Sequence, residues 1–255
     1  MKKSHKIILI ISICLNLIVL VIGIKLVAYK GGIKYIALVG ENFLKSGKVV
    51  SASTTAIAKV DGFSKYTSTE NDIIFLGDSI TEGGAWNEYF PGISARNRGI
   101  GGDRTYHILN RLDQVALGKP KKIFLSVGIN DLIGKVKDKE ILDNYKQIIN
   151  VVKLKTPETK LYIESILPIN KETTKEILEK KGTAVVSITN IDIKSMNAQI
   201  NELCVRAGVQ YINCYDQLLD SQGELKKELT SDGLHLNQDG YLVLSKVIGE
   251  YVTAQ

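Results

Sequence analysis

Cysteine and histidine are scarce in this chain, with three of each among 255 residues. Three cysteines do not make a disulfide framework. Cys14 lies inside an apolar run and reads as a filler of it. Cys204 and Cys214 are expected as two buried free thiols, with a Cys204–Cys214 pair as the alternative. The shortage of histidine narrows the choice of a base. His5 precedes an apolar segment, His107 falls in a predicted helix, and His235 is left as the candidate. No second histidine or cysteine flanks His235, so no metal site is expected.

Other signals are missing as well. No repeat or low-complexity tract is evident. No Gly-Lys-Ser/Thr follows a glycine loop, which disfavours a Walker site, and the glycine spacing fails the dinucleotide pattern. No cofactor is therefore expected. A uniformly basic surface is also lacking, despite the formal charge of +6. Residues 1–70 hold ten lysines against Glu41, Asp61 and Glu70, a net +7, while the remaining 23 basic and 24 acidic residues carry −1. The basic excess is confined to the amino-terminal quarter and does not argue for nucleic acid. It suits anionic headgroups or a solvated stalk.

What is present begins with an apolar run. Residues 7–28 contain one charge, Lys25, and Lys2, Lys3 and Lys6 precede them. About 20 apolar residues span a bilayer core as a helix, and the positive flank favours staying inside. The predicted organisation is a cytoplasmic basic tail at 1–6, a transmembrane signal anchor at 7–28, a juxtamembrane linker at 29–70 and an extracytoplasmic domain at 71–255. A cleaved signal peptide with a secreted product is the alternative, but the run exceeds a usual h-region and lacks a clear cleavage site. Within 29–70, Ile33 to Leu44 could form a short helix, and 51–56 reads as linker.

From Asp72 onward, short continuous apolar runs alternate with helix-period segments. Ile73–Leu76, Lys122–Val127, Lys160–Ser165 and Val209–Asn213 read as buried parallel strands, with a weaker one near Ile93–Asn97. Thr105–Leu117, Glu140–Leu154, Ile191–Ala207 and Asn237–Val252 read as helices. This alternation predicts an α/β fold of three layers, α/β/α, with a central parallel sheet. Ligands on such sheets bind beyond the carboxyl ends of the strands. Residues 167–190 exceed the usual loop length. They are read as a candidate lid or acyl-group wall, or equally as a surface excursion, with a helical turn near 175–181.

Four strand ends carry polar chemistry. Gly77-Asp78-Ser79 follows the first strand and offers a hydroxyl nucleophile, or merely a helix cap. Arg98-Gly99-Ile100-Gly101-Gly102-Asp103 follows the second. It could turn backbone N–H groups toward an oxyanion, bind a phosphate or simply turn. Gly128-Ile129-Asn130-Asp131 follows the third. Asn130 supplies a neutral donor or an Asx-turn, and Asp131 is expected to cap the following segment. Asp232-Gly233-Leu234-His235 closes the set. An aspartate three residues before a histidine can reach Nδ1 and leave Nε2 for Ser79.

Together, in this order, the four segments resemble the SGNH hydrolase superfamily, also called GDSL esterases and lipases. The resemblance covers about residues 70–255, with Ile80 where the family usually has leucine. The glycine and Asp-Gly-Leu-His segments look most like its platelet-activating-factor acetylhydrolase-like branch. The resemblance implies a carboxylic ester hydrolase with Ser79, His235 and Asp232 as its triad. It implies an oxyanion hole from the Ser79 and Gly102 backbone N–H groups and the Asn130 amide. The expected substrate is an acyl ester on a glycan or lipid, short-chain and acetyl first. The alternatives are long-chain lysophospholipase or thioesterase action, acyl transfer to cell-wall glycan, or a non-catalytic anchored binding module.

Overall fold

The computed structural model describes residues 54–180 and 187–254. The expected anchor at 7–28, the short helix at 33–44 and residues 181–186 of the long excursion lie outside the described residues. Among those described, no helix is long and apolar enough to cross a membrane.

Five strands are named in chain order: β1 (Ile73–Gly77), β2 (Ala95–Gly99), β3 (Lys122–Ser126), β4 (Lys160–Glu164) and β5 (Gln210–Ile212). All pair in parallel, in the spatial order β2-β1-β3-β4-β5. Every residue of β1 and β3 is buried, as expected of central strands covered on both faces. Side chains alternate between two cores. Ile74, Leu76, Ile123, Leu125, Leu161 and Ile163 point into one. They meet α4 (Thr105–Ala116), α6 (Asp138–Lys155) and α8 (Asn190–Ala207). Ile73, Phe75, Phe124 and Tyr162 point into the other, against α3 (Trp86–Tyr89) and α9 (Gln238–Thr253). There Phe75 stacks on Trp86 at 4.2 Å and on Phe124 at 5.3 Å, and Phe124 stacks on Tyr162 at 4.7 Å. Each such fully buried side chain contributes roughly 1.5–3 kcal/mol of transfer free energy. The three layers match the expected fold class.

Lys122 is an exception in this apolar setting. Its side chain is fully buried, yet its Nζ donates to the carbonyls of Tyr251 and Val252 at 2.7 and 2.9 Å and to that of Ala254. A cation thereby closes the carboxyl end of α9, where helix carbonyls lack partners.

Two segments differ from expectation. Residues 54–65 are not linker but a helix, α1 (Thr54–Lys65). It touches the domain through the Val60 backbone and the Phe63 ring, one turn apart. The Gln114 amide donates to the Val60 carbonyl at 3.3 Å, and the Arg98 guanidinium lies 4.7 Å over the Phe63 ring. Between β4 and α8, the long excursion holds α7 (Lys171–Lys180), which begins four residues before the expected turn. Asn170 caps it, accepting from the Thr173 N–H at 3.0 Å. Asn190 closes the base of the excursion by bonding both the N–H and the carbonyl of Ile169 at 2.9 and 2.8 Å. Cys204 and Cys214 are buried and unpaired, as expected, and burial pushes both thiols well up from their ordinary values.

The order β2-β1-β3 makes β1 the place where the chain winds first to one side and then to the other. Crevices for ligands form at that point, beyond the carboxyl ends of the strands. The loops after β1, β2 and β3 all meet there.

Candidate active site

Gly77 ends β1 with no room for a side chain, since a Cβ would lie 2.2 Å from the Ser126 carbonyl oxygen. The chain then turns directly into α2 (Ser79–Gly83). Asp78, not Ser79, is the cap: its Oδ1 accepts from the Ile80 N–H at 3.0 Å. Asp78 is buried and Ser79 half-buried, so the turn sends the carboxylate inward and the hydroxyl toward the crevice. Ser79 is the first helical residue, and its N–H therefore has no partner within the helix. Tyr241 of α9 pins α2 from behind by donating to the Ile80 carbonyl at 2.6 Å.

The loop before α9 supplies the imidazole. Asp232 Oδ1 accepts from the Leu234 and His235 N–H groups at 3.0 and 2.7 Å. Its Oδ2 lies 2.7 Å from His235 Nδ1. Thr230 Oγ1 donates to the His235 carbonyl at 2.7 Å and accepts from the Gly233 N–H at 2.9 Å. Gly233 has a positive φ of 84° and is packed against Thr174, where any side chain would collide. Burial tends to raise the Asp232 pKa, but the backbone and ring hydrogen bonds of His235 and the Leu234 N–H outweigh it and hold the carboxyl below its ordinary value. An ionised carboxylate only accepts, so Nδ1 carries the proton and Nε2 is the acceptor. Nε2 lies 2.9 Å from Ser79 Oγ. The structure thus brings Ser79, His235 and Asp232, up to 156 residues apart in sequence, into one hydrogen-bonded chain.

Gly102 and Asn130 lie on the segments after β2 and β3, next to the turn that carries Ser79. Gly102 is exposed, with a φ of 82° and open space around it, so glycine serves the backbone turn rather than a close contact. Asn130 lies on α5 (Ile129–Ile133). Its Nδ2 donates to the Asp103 carbonyl at 3.0 Å and approaches Asp78 Oδ2 at 3.4 Å, joining the loops after β1, β2 and β3. Asp131 does not cap the segment that follows it but serves a helix that precedes it in the chain. Its carboxylate accepts from Thr105 N and Oγ1 at 2.9 and 2.7 Å and so caps α4. The reason is spatial: α4 begins beside α5 and its first N–H groups need an acceptor. His107 accepts from the Arg104 N–H at 3.0 Å. Burial, followed by the charges of Arg104 and Arg111, lowers it to about 4, so it stays neutral.

Several supporting residues escaped the sequence reading. Arg111 of α4 is buried and joins Asp103 to the carbonyls of Gly77 and Arg98. Asp78 is pushed up to about 7, chiefly by burial. Glu164, at the end of β4, is also buried and raised by burial from 4.5 to about 7, with the Ser126 hydroxyl as its partner. A carboxyl raised in the folded state binds its proton more tightly there than in the unfolded chain. Its contribution to stability therefore falls as pH rises through 4.5 toward 7, and is level above that. Glu164→Gln should gain about 2–3 kcal/mol relative to wild type between pH 5 and pH 8. Urea unfolding at the two pH values reads this, and an equal difference at both would contradict it.

The model of the GDSL-like Lipase/Acylhydrolase family matches residues 75–243. The alpha2 subunit of platelet-activating factor acetylhydrolase IB from Rattus norvegicus is 27% identical over 189 residues, covering 72% of this chain and 76% of that one. A Streptococcus pneumonia protein solved as a platelet activating factor superposes with a TM-score of 0.69 at 31% identity, over 86% of this chain and 98% of that one. A catalytic mutant of an acetylxylan esterase from Geobacillus stearothermophilus, 14% identical, shares the fold over 74% of this chain and 96% of its own, with a TM-score of 0.55. The chain belongs to the GDSL-like lipase/acylhydrolase family and is a carboxylic ester hydrolase.

Proposed function

We propose that the protein is a membrane-anchored, extracytoplasmic serine esterase that removes short acyl groups, acetyl foremost, from a glycan or lipid alcohol. The observation that carries the catalytic part is the 2.9 Å contact between Ser79 Oγ and His235 Nε2, with Asp232 on the opposite ring nitrogen. Ser79 Oγ attacks the ester carbonyl carbon while His235 Nε2 takes the hydroxyl proton. Asp232 stabilises the imidazolium and keeps the ring oriented. The Ser79 and Gly102 N–H groups stabilise the oxyanion, joined by the Asn130 amide, which keeps its bond to the Asp103 carbonyl and turns its second hydrogen from the long 3.4 Å approach to Asp78 toward the oxyanion. Collapse breaks the bond to the alcohol oxygen, which leaves with the proton from His235. Water then attacks the acyl-serine, with His235 again accepting and returning the proton. The products are the alcohol and the carboxylic acid.

Acetyl is favoured because two relatives are named for removing it, the acetylhydrolase subunit and the acetylxylan esterase. Anchoring rests on the apolar run 7–28 and its lysine flank. The test is turnover of p-nitrophenyl esters from acetyl to palmitoyl by the full-length chain in detergent, with Ser79→Ala as blank. Acetyl is expected to give the highest kcat/KM, with a fall of at least about tenfold by octanoyl, a difference of 1.4 kcal/mol. A maximum at long chains would move the substrate to lipids. Turnover only with an added sugar acceptor would make the enzyme a transferase.

A further inference from the structure

We propose that Glu82 is a positioning residue for the oxyanion side of the reaction, and that Lys59 supplies the charge that lets a carboxylate stand there. The inference rests on the reading of Ser79 and Gly102 given above. Glu82 lies three residues after Ser79 on α2, and its Oε2 accepts the Gly101 N–H at 2.5 Å. A Cβ on Gly101 would sit 3.0 Å from that oxygen and 3.7 Å from Ser79 Cβ. Carboxylate, glycine loop and nucleophile therefore share one small space. The bond to Gly101 fixes the chain as it enters Gly102, the residue whose N–H faces the oxyanion. Gly99 reinforces the arrangement, since a side chain there would meet the Glu82 backbone at 2.1 Å.

A carboxylate so close to a developing oxyanion carries a penalty, because like charges in a partly dry crevice repel. Lys59 removes it. Its Nζ pairs with Oε1, the Glu82 oxygen that does not hold Gly101, and both side chains are about one-third exposed, at 32% and 33%. Lys59 sits on α1, ahead of residue 75 where the family match begins. A helix outside the matched domain thus balances the charge beside the nucleophile. This role differs from simple docking of α1, for which the pair would matter equally whichever partner was lost.

The difference is measurable as a rescue. On p-nitrophenyl acetate, full-length Lys59→Met is expected to lose about tenfold in kcat with KM within about twofold, because the unbalanced carboxylate opposes only the charged transition state. Glu82→Gln should fall only a few-fold, since the amide oxygen still accepts the Gly101 N–H. The Lys59→Met/Glu82→Gln chain should run faster than Lys59→Met alone. Wild-type kcat in Lys59→Met, or a double variant no faster than Lys59→Met, overturns the proposal. Ser79→Ala serves as the blank. If wild type shows no Ser79-dependent turnover, the esterase reading fails, and the Gly101 amide decides the positioning claim alone. Its hydrogen exchange should accelerate at least about tenfold in Glu82→Ala and stay slow in Glu82→Gln. An unchanged rate in Glu82→Ala refutes it.

Discussion

Ser79→Ala should lower kcat on p-nitrophenyl acetate by about 10⁵–10⁶ with little change in KM. The hydroxyl forms the covalent bond, and nothing else at its place can. Glu82 on α2 and Asp78 just before it are occupied as loop anchor and helix cap. His235→Ala should cost about as much, and the double variant hardly more, because a nucleophile without its base is already idle. Asp232→Asn should cost about 10⁴ and separates two duties of that side chain. The amide oxygen can still accept from the Leu234 and His235 N–H groups, so the loop keeps its shape. Its NH₂ then faces Nδ1 and forces the proton onto Nε2, where Ser79 needs an acceptor. A measured kcat within about tenfold of wild type for Ser79→Ala would remove Ser79 from the chemistry.

The site was legible in the sequence where its signals are local. Asp232 and His235 complete their own geometry within four residues, so their spacing shows that they can meet, whereas Gly77-Asp78-Ser79 alone reads equally as a helix cap and gained its meaning only from the four segments taken together. The buried strands announced themselves as continuous apolar runs, because both faces of β1 and β3 are covered. β2 was faint for a physical reason. Its sequence Ala-Arg-Asn-Arg-Gly is polar because Asn97 reaches out to bond the carbonyls of Thr81, Glu82 and Gly84, and Arg98 reaches Tyr66 and Phe63. Such residues work for the loops rather than the core. α1 was hidden likewise, since its few contacts fall on residues far away in sequence. Asp131 was misassigned because a carboxylate after a strand was presumed to cap the segment that follows it, when the unpaired N–H groups beside it belonged to α4, earlier in the chain.

Arg111 is the largest such omission, and its loss should cost about 3–5 kcal/mol. Arg111 lies at the edge of the apolar face that Ile108, Leu112 and Val115 form on α4, and its charge gives no sign of burial. In the structure it is 5% exposed, with Nε 2.7 Å from Asp103 Oδ2 and Nη2 3.0 and 2.8 Å from the Gly77 and Arg98 carbonyls. Arg111→Met keeps most of the volume but strands the buried Asp103 carboxylate and two carbonyl groups. Burial already raises the Asp103 pKa, and Arg111 is what opposes the rise. Without the guanidinium the folded chain takes up a proton at Asp103 more readily, so the variant should lose more relative to wild type at pH 8 than at pH 5. Arg111→Lys should recover little, because an ammonium cannot span three acceptors in one plane. Arg111→Met/Asp103→Leu should recover part of the stability, since no charge is then left buried. It should not recover activity. The Asp103 carbonyl holds the Asn130 amide at 3.0 Å, and Arg111 joins that loop to Gly77, two residues before Ser79. Urea unfolding of the variants at both pH values, beside kcat on p-nitrophenyl acetate, separates the two effects. A loss below about 1 kcal/mol in Arg111→Met would mean that the buried pair is no better than an apolar side chain and that the site loops are held by other contacts.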